Sequence, residues 1–233
     1  MRVLVWGLGY VGTVTAACAA ELDHEVIGIE PNPIKLAAIR DGTSAVREPG
    51  LGELVASVVA RGRLSAEAAG VRLVREADLS LVCVGTPSSA DGSSVLDHFR
   101  QVSLDIGEGL RGSARYHVVV VRSTVFPGTC RGLAHVLEEK SGRRAGKDFG
   151  IVSNPEFLRE TTAIRDFQEA PYTVIGQLDS RSGDAVASLY AGLPAPVFRV
   201  SLEEAELVKL ASNAFHAMKV GFANEIGRIG ERI

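Results

Sequence analysis

Gly7-Leu8-Gly9-Tyr10-Val11-Gly12, with Glu30 about 20 residues further on, has the types and spacing that phosphate and ribose recognition require. The apolar run Val3–Trp6 leads into the glycines, and a helical pattern, Val11–Leu22, leaves them. Gly7 permits a tight turn, Gly9 lets the backbone approach a pyrophosphate, and Gly12 lets helix and strand pack closely. The unpaired amides at the helix start then face the phosphates. Glu30 closes the next apolar run, where a carboxylate accepts hydrogen bonds from the adenosine ribose and repels a 2′-phosphate. The pattern points to NAD over NADP. A tight strand–helix turn that holds no ligand would use the same glycines.

Two further stretches fit the same cleft. Val84-Gly85-Thr86-Pro87 and Val121-Arg122-Ser123-Thr124 each follow a buried apolar run and place small hydroxyl residues at a strand's carboxyl end. Open sheets bind ligands at that edge. Each stretch also reads as an ordinary strand-end turn. Lys35, just past Glu30 on the next helix, reads by default as a solvated lysine.

A second constellation lies in the carboxyl-terminal third. Asn154-Pro155-Glu156-Phe157-Leu158-Arg159-Glu160 has the letters of a helix start, with Asn154 as N-cap and Pro155 at the first helical position. Glu156 and Glu160 would then share a face, either as a site or as acids that complement the helix dipole. From Leu202 to Ile233 there is no proline, which allows about 48 Å of helix. At about 100° per residue from Lys209, Asn213 falls near 40°, His216 near −20° and Asn224 near 60°. One lysine, two carboxamides and an imidazole in that narrow sector suit ligand recognition better than a solvated stripe. A lone histidine beside an apolar face is also a common packing residue.

The elements that must position these groups alternate along the chain. Strand patterns fall at Val3–Trp6, Glu25–Ile29, Leu79–Val84, His117–Val121, Ile151–Ser153, Thr173–Ile175 and Val197–Val200, with a weaker one at Val71–Val74. Helical patterns fall near 10–22, 33–40, 50–61, 97–110, 128–140 and 181–191. This predicts an α/β, Rossmann-type doubly wound, mostly parallel sheet with helices on both faces, followed by a long carboxyl-terminal helix. The domain division expected is 1–200 for the cofactor and 201–233 for the start of a long helix.

With 46% hydrophobic and 23% charged residues and a net charge of −3 over 233 residues, the chain has the composition of a globular protein. No like-charge block offers a nucleic-acid footprint. No run of about 18 apolar residues suggests a membrane span, and the amino terminus lacks a signal-peptide pattern. Cys18, Cys83 and Cys130 have neither disulfide nor metal-ligand spacing, so no metal is expected and reduced thiols in the cytoplasm are.

Together these motifs resemble the amino-terminal part of the UDP-glucose/GDP-mannose dehydrogenase family. The likeness runs through GLGYVG, REPGL at 47–51, CVGTP at 83–87, VVVRSTVFPGT at 119–129, NPEFLRE at 154–160 and KLASNAFHAMKVGFANEIG at 209–227. VRSTVFPGT and the His216-containing helix lean toward the GDP-mannose branch. The resemblance implies oxidation of a nucleotide sugar's primary alcohol to a carboxylate with two NAD. It implies that Tyr10, Val11, Glu30, Lys35, Thr86 and Thr124 contact NAD, beside the glycines. It also implies that Glu160, Lys209, Asn213, His216 and Asn224 contact the substrate, GDP-mannose. Lys209 would stabilise the oxyanion, Asn213 would help hold that oxygen, and Glu160 would position water.

In the family a catalytic cysteine and a nucleotide-gripping domain follow the central helix, and none of the three cysteines here has that context. The expectation is a cofactor half that is inactive alone and that forms a homodimer through the long helix. Cys130, near a helix start that could lower its pKa, is the best local substitute for that thiol, but it lies beside the sheet's ligand cleft and not on the substrate side of Lys209, so it is not expected to serve. Alternatives are another sugar nucleotide such as UDP-glucose, or a non-catalytic NAD-binding and dimerisation module.

Overall fold

Runs such as Val3-Leu4-Val5 and Val118-Val119-Val120-Val121 have no apolar–polar alternation, which suits strands covered on both faces. The computed structural model describes residues 1–86 and 96–233. In chain order the elements are β1 (Arg2–Trp6), α1 (Tyr10–Glu21), β2 (Glu25–Ile29), α2 (Pro33–Arg40), α3 (Leu51–Ala60), β3 (Leu64–Glu67), β4 (Leu79–Val82) and α4 (Asp97–Leu110). There follow β5 (His117–Val121), α5 (Thr129–Ser141), β6 (Phe149–Ser153), α6 (Ala163–Gln168), β7 (Thr173–Gln177), α7 (Ser180–Leu189), β8 (Val197–Val200) and α8 (Leu202–Gly230).

The strands form one sheet in the order β3-β2-β1-β4-β5-β6-β7-β8. All pairs are parallel except β6 with β7. Chain order reverses between β1 and β4, so the loops after them leave toward opposite faces. That divergence opens a crevice at the sheet's carboxyl edge. On one face α1, α3, α6 and α7 bury Val14, Leu51, Val55, Phe167 and Leu189. On the other, α4 and α5 bury Phe99, Ile106, Leu133 and Leu137. Gly12 through Ala20 are all buried in α1, which lies between the sheet and outer helices. A helix enclosed on all sides needs no amphipathic stripe.

The expected doubly wound sheet and long final helix are present. Two local expectations are corrected. Leu73–Arg75, which overlaps the weak strand pattern at Val71–Val74, is a single 3-10 turn after Gly70. A Cβ at Gly70 would come within 2.7 Å of the Trp6 ring, so this segment packs under β1 without joining the sheet. The eighth strand is instead Leu64–Glu67, whose Leu-Ser-Ala-Glu has little β-propensity and pairs at the edge with β2 alone.

A buried relay fixes Trp6. The Ala77 carbonyl can only accept, so the His117 Nδ1–H donates to it at 2.9 Å. His117 Nε2 therefore accepts from the Ser80 hydroxyl at 2.9 Å, and Ser80 Oγ accepts from Trp6 Nε1 at 3.0 Å. Burial pushes the His117 imidazole down to about 4, which keeps it neutral.

α8 begins with a reciprocal cap: Ser201 Oγ accepts from the Glu204 amide while the Glu204 carboxylate accepts from the Ser201 amide. Its 29 residues span about 43 Å. Leu202, Ala205, Glu206 and Lys209 are buried against the domain, and every residue from Asn213 onward is exposed.

Candidate cofactor and catalytic site

At the divergence of β1 and β4, Gly7 takes φ +91°, a left-handed conformation that lets the chain turn out of β1. A Cβ on Gly12 would lie 1.8 Å from the Gly7 carbonyl oxygen, so only glycine lets α1 approach β1 this closely. A Cβ on Gly9 would meet nothing within 4 Å, which leaves room at the loop for a pyrophosphate.

Glu30 is buried beside this loop. One carboxylate oxygen accepts from the Leu8 amide at 2.9 Å and the other from the Asn32 amide at 3.0 Å. Lys35 is not simply solvated: its ammonium lies 3.7 Å from Glu30. A carboxylate has about four acceptor positions, so two remain for ribose hydroxyls. The cleft encloses about 550 Å³ and is lined by Trp6, Gly9, Glu30, Lys35, Val84 and Gly85, among others. That volume lies within the range of small-molecule and cofactor pockets, about 300–1,000 Å³. Open loop, spare acceptors and volume all fit the adenosine and pyrophosphate of a dinucleotide. Tyr10 and Val11 begin α1 at the edge of this loop.

Thr86 and Thr124 meet across the adjoining turns, with the Thr86 hydroxyl donating to the Thr124 carbonyl at 2.8 Å. Ser123 closes the same seam by donating to the Val84 carbonyl at 2.6 Å. Pro87, read as part of the first turn, lies outside the described residues.

The segment 154–160 is not a helix start. It is irregular, and the next helix, α6, begins at Ala163. Asn154 serves as a buried bracket. Its Oδ1 accepts from Arg122 Nη1 at 2.8 Å and from the Tyr190 hydroxyl, and its Nδ2 donates to the Val174 carbonyl at 2.8 Å. The carboxamide thus links the ends of β5 and β6 to β7 and α7, and is spent on folding.

Sequence reading missed the partner of Lys209. Its Nζ lies 3.0 Å from Glu156 Oε1, with the two side chains only 9% and 11% exposed. Glu156 Oε2 accepts from the Leu158 amide at 2.6 Å, and Nζ stands 5.4 Å from the Phe157 ring centroid. Glu156 lies three residues beyond β6, at the same carboxyl edge as the cleft. Glu160 is exposed on the side of Tyr10, where its charge helps raise the phenol. Asn213, His216 and Asn224 continue the face of Lys209 along exposed α8.

The thiols are all disqualified as nucleophiles by burial. It pushes Cys18 and Cys83 up to about 12. Cys130 is held well above its ordinary value by burial and by Glu206. Glu206 accepts from the Gly128 amide at 2.6 Å and the Cys130 amide at 2.7 Å. The helix-start amides that could have favoured a thiolate are therefore already taken by a carboxylate.

A doubly wound sheet with a glycine loop and a ribose-side acid at its switch point defines a dinucleotide-dependent protein. Residues 1–194 match the NAD binding domain of the UDP-glucose/GDP-mannose dehydrogenase family, and residues 203–233 match the central domain of the same family. The chain belongs to that family, whose members are NAD-dependent. It is 47% identical over 234 residues to the GDP-mannose 6-dehydrogenase of Pseudomonas putida, covering 100% of this chain and 53% of that protein. The solved ternary complex of GDP-mannose dehydrogenase from Pseudomonas aeruginosa superposes with a TM-score of 0.95 at 45% identity, covering 97% of this chain and 52% of that one. A UDP-glucose dehydrogenase structure from Pyrobaculum islandicum gives 0.91 at 41%, again covering 97% and 52%. The chain thus spans about half the length of the relatives it matches.

Proposed function

We propose that residues 1–200 form the cofactor domain, and 201–233 the opening of the central helix, of an enzyme that oxidises the sugar's primary alcohol in GDP-mannose to a carboxylate. The observation that carries this reading is the nearly buried Lys209–Glu156 pair, whose acid follows β6 at the same carboxyl edge of the sheet as the dinucleotide cleft. NAD, when bound, takes up the hydride. Gly7, Gly9 and Gly12 shape its phosphate seat, with Tyr10 and Val11 at the helix start. Glu30 and Lys35 hold the ribose side, and Thr86 and Thr124 border the reacting end.

Lys209 places its ammonium where the alcohol oxygen gains negative charge, and a fixed cation there stabilises the developing oxyanion. Glu156 orients that ammonium and can accept a proton as the alcohol is oxidised. Asn213 donates to the same oxygen, Glu160 positions water, and His216 and Asn224 hold the nucleotide sugar. Oxidation beyond the aldehyde uses a thiol that adds to the carbonyl carbon. That thiol comes from outside residues 1–233, because Cys18, Cys83 and Cys130 are buried.

The test is NADH absorbance with GDP-mannose and NAD. The chain alone is expected to give no signal. Adding the carboxyl-terminal half of a GDP-mannose 6-dehydrogenase should produce NADH, and UDP-glucose should not replace GDP-mannose. Robust NADH from the chain alone, lost in Lys209→Ala, would show the site complete and overturn this division of labour. Turnover of UDP-glucose would move the substrate to the other branch of the family.

The protein works in the cytoplasm, where its free thiols stay reduced, and it forms a homodimer through α8. Phe215, Met218, Phe222, Ile226 and Ile229 are each more than half exposed. Their spacing of three or four residues makes one stripe on the side of α8 opposite Lys209 and Asn213. Water contact along such a stripe is relieved by a second copy. Light scattering should give a dimer at tens of micromolar, and Phe222→Glu should give a monomer. A monomeric parent chain would count against the helix as an interface.

A further inference from the structure

The glycine loop and the segment carrying Glu156 and Glu160 come from distant parts of the chain, yet one carboxylate touches both. Glu48 Oε2 accepts from the Tyr10 hydroxyl at 2.6 Å and from the Thr161 amide at 2.8 Å. Its Oε1 accepts from the Ala163 amide at 2.8 Å. These amides flank the start of α6, where Thr162 makes no side-chain cap to the backbone and its hydroxyl donates to Asp166 instead. Glu48 therefore caps α6 from more than a hundred residues away. Thr161 stands at φ +74°, a left-handed conformation uncommon for a β-branched residue, so its geometry depends on being held. The Tyr10 hydroxyl also lies 3.4 Å from the Arg159 carbonyl.

Each of these contacts could be packing alone. Their arrangement in series argues for more. Tyr10 opens α1 beside the phosphate seat, Glu48 is its hydrogen-bond acceptor, and the other acceptor positions of Glu48 fix Thr161 and Ala163. Burial and the Glu48 carboxylate both raise the Tyr10 phenol, so it stays a donor at neutral pH.

We infer that Glu48 is a positioning residue that couples the occupied NAD loop to the segment 156–163, so that cofactor binding orders the side of the site where Glu156 and Glu160 stand. This rests on the proposed function for the NAD cleft. The route is Tyr10 restrained by NAD, then its hydroxyl on Glu48, then Glu48 on the two amides. Linkage makes the effect reciprocal, and order in 156–163 raises NAD affinity by the same factor.

Amide hydrogen exchange followed by NMR on the full chain tests this, with NAD as the probe. Trp6 is the sole tryptophan and lines the cleft, so its fluorescence reports NAD occupancy independently. In the parent chain, saturating NAD should slow exchange at Thr161 and Ala163 at least about fivefold, the low end of coupling between sites. Glu48→Gln, which puts an amide donor among three donors, should exchange fast at both positions with or without NAD. Tyr10→Phe keeps the Glu48–amide bonds and should resemble the parent without NAD, but lose the slowing when NAD is added. A purely structural role for Glu48 would leave NAD-dependent slowing intact in Tyr10→Phe, and that result overturns the inference. So does NAD binding to the parent, seen at Trp6, with no change at Thr161 and Ala163. Absence of any Trp6 response would instead remove the cofactor reading, and the coupling with it.

Discussion

Gly12→Ala is expected to abolish NAD binding and to cost about 3 kcal/mol of folding stability, the upper end of ordinary overpacking. The new Cβ would sit 1.8 Å from the Gly7 carbonyl oxygen and 3.0 Å from its carbon. Both are backbone atoms, so no side-chain rotation relieves the clash. α1 would have to move away from β1, and the phosphate seat is built from the junction of the two. Gly9→Ala is the control. Gly9 has φ −75°, and its Cβ would meet nothing within 4 Å, so stability should be nearly unchanged. The methyl would instead occupy the approach to the pyrophosphate and weaken NAD. Urea denaturation and NAD titration of both variants separate the two effects. An unshifted midpoint in Gly12→Ala would refute the close-packing account of the loop.

Lys209→Met should be comparably damaging, because it strands a carboxylate. Glu156 is 11% exposed, and its ammonium partner at 3.0 Å would be gone. Removing one member of a buried pair costs about 3–5 kcal/mol, most of it from the unpaired charge left behind. Glu156→Gln should also destabilise, with Lys209 as the stranded charge. The double variant Lys209→Met/Glu156→Gln removes both charges and should recover more than half of the lost stability. Activity should not follow stability: the complemented enzyme should remain at least about a hundredfold slower in the double variant, which lacks the oxyanion-stabilising cation. If the two single losses simply add in the double variant, the side chains do not act as a pair.

The parts of this site that were legible in the sequence are those fixed by local geometry. A left-handed turn, a close helix–strand approach and an acid after the second strand leave marks at fixed short spacing, as Gly7, Gly12 and Glu30 do. The strands buried on both faces were legible for the same reason, through unbroken apolar runs. Leu64–Glu67 was missed because it is an edge strand, half solvated and poor in β-branched residues. Val71–Val74 misled because Val74 joins the buried cluster around Trp6 without the segment joining the sheet.

Asn154-Pro155 carries good capping letters, but a tertiary demand won. The Arg122 guanidinium and the Tyr190 hydroxyl claim the carboxamide, and the chain stays irregular. The links Lys209–Glu156, Glu48–Thr161 and Glu206–Cys130 join residues separated by 53, 113 and 76 positions. No local period or motif records such a pairing. For Glu206 the effect bears on Cys130: the helix start that could have activated its thiol is neutralised by an acid from α8, in line with the expectation that the thiol of the second oxidation is not Cys130.

That the Glu30-bordered cleft holds NAD is the claim on which the rest depends, and calorimetric titration of the chain with NAD and NADP tests it most directly. A buried carboxylate beside the ribose should favour NAD by at least tenfold, about 1.4 kcal/mol. Glu30→Gln keeps the shape and one acceptor for the Leu8 or Asn32 amide but removes the charge, and should narrow the gap mainly by improving NADP. Equal affinities for the two cofactors in the parent chain, or a gap unchanged in Glu30→Gln, would contradict the account.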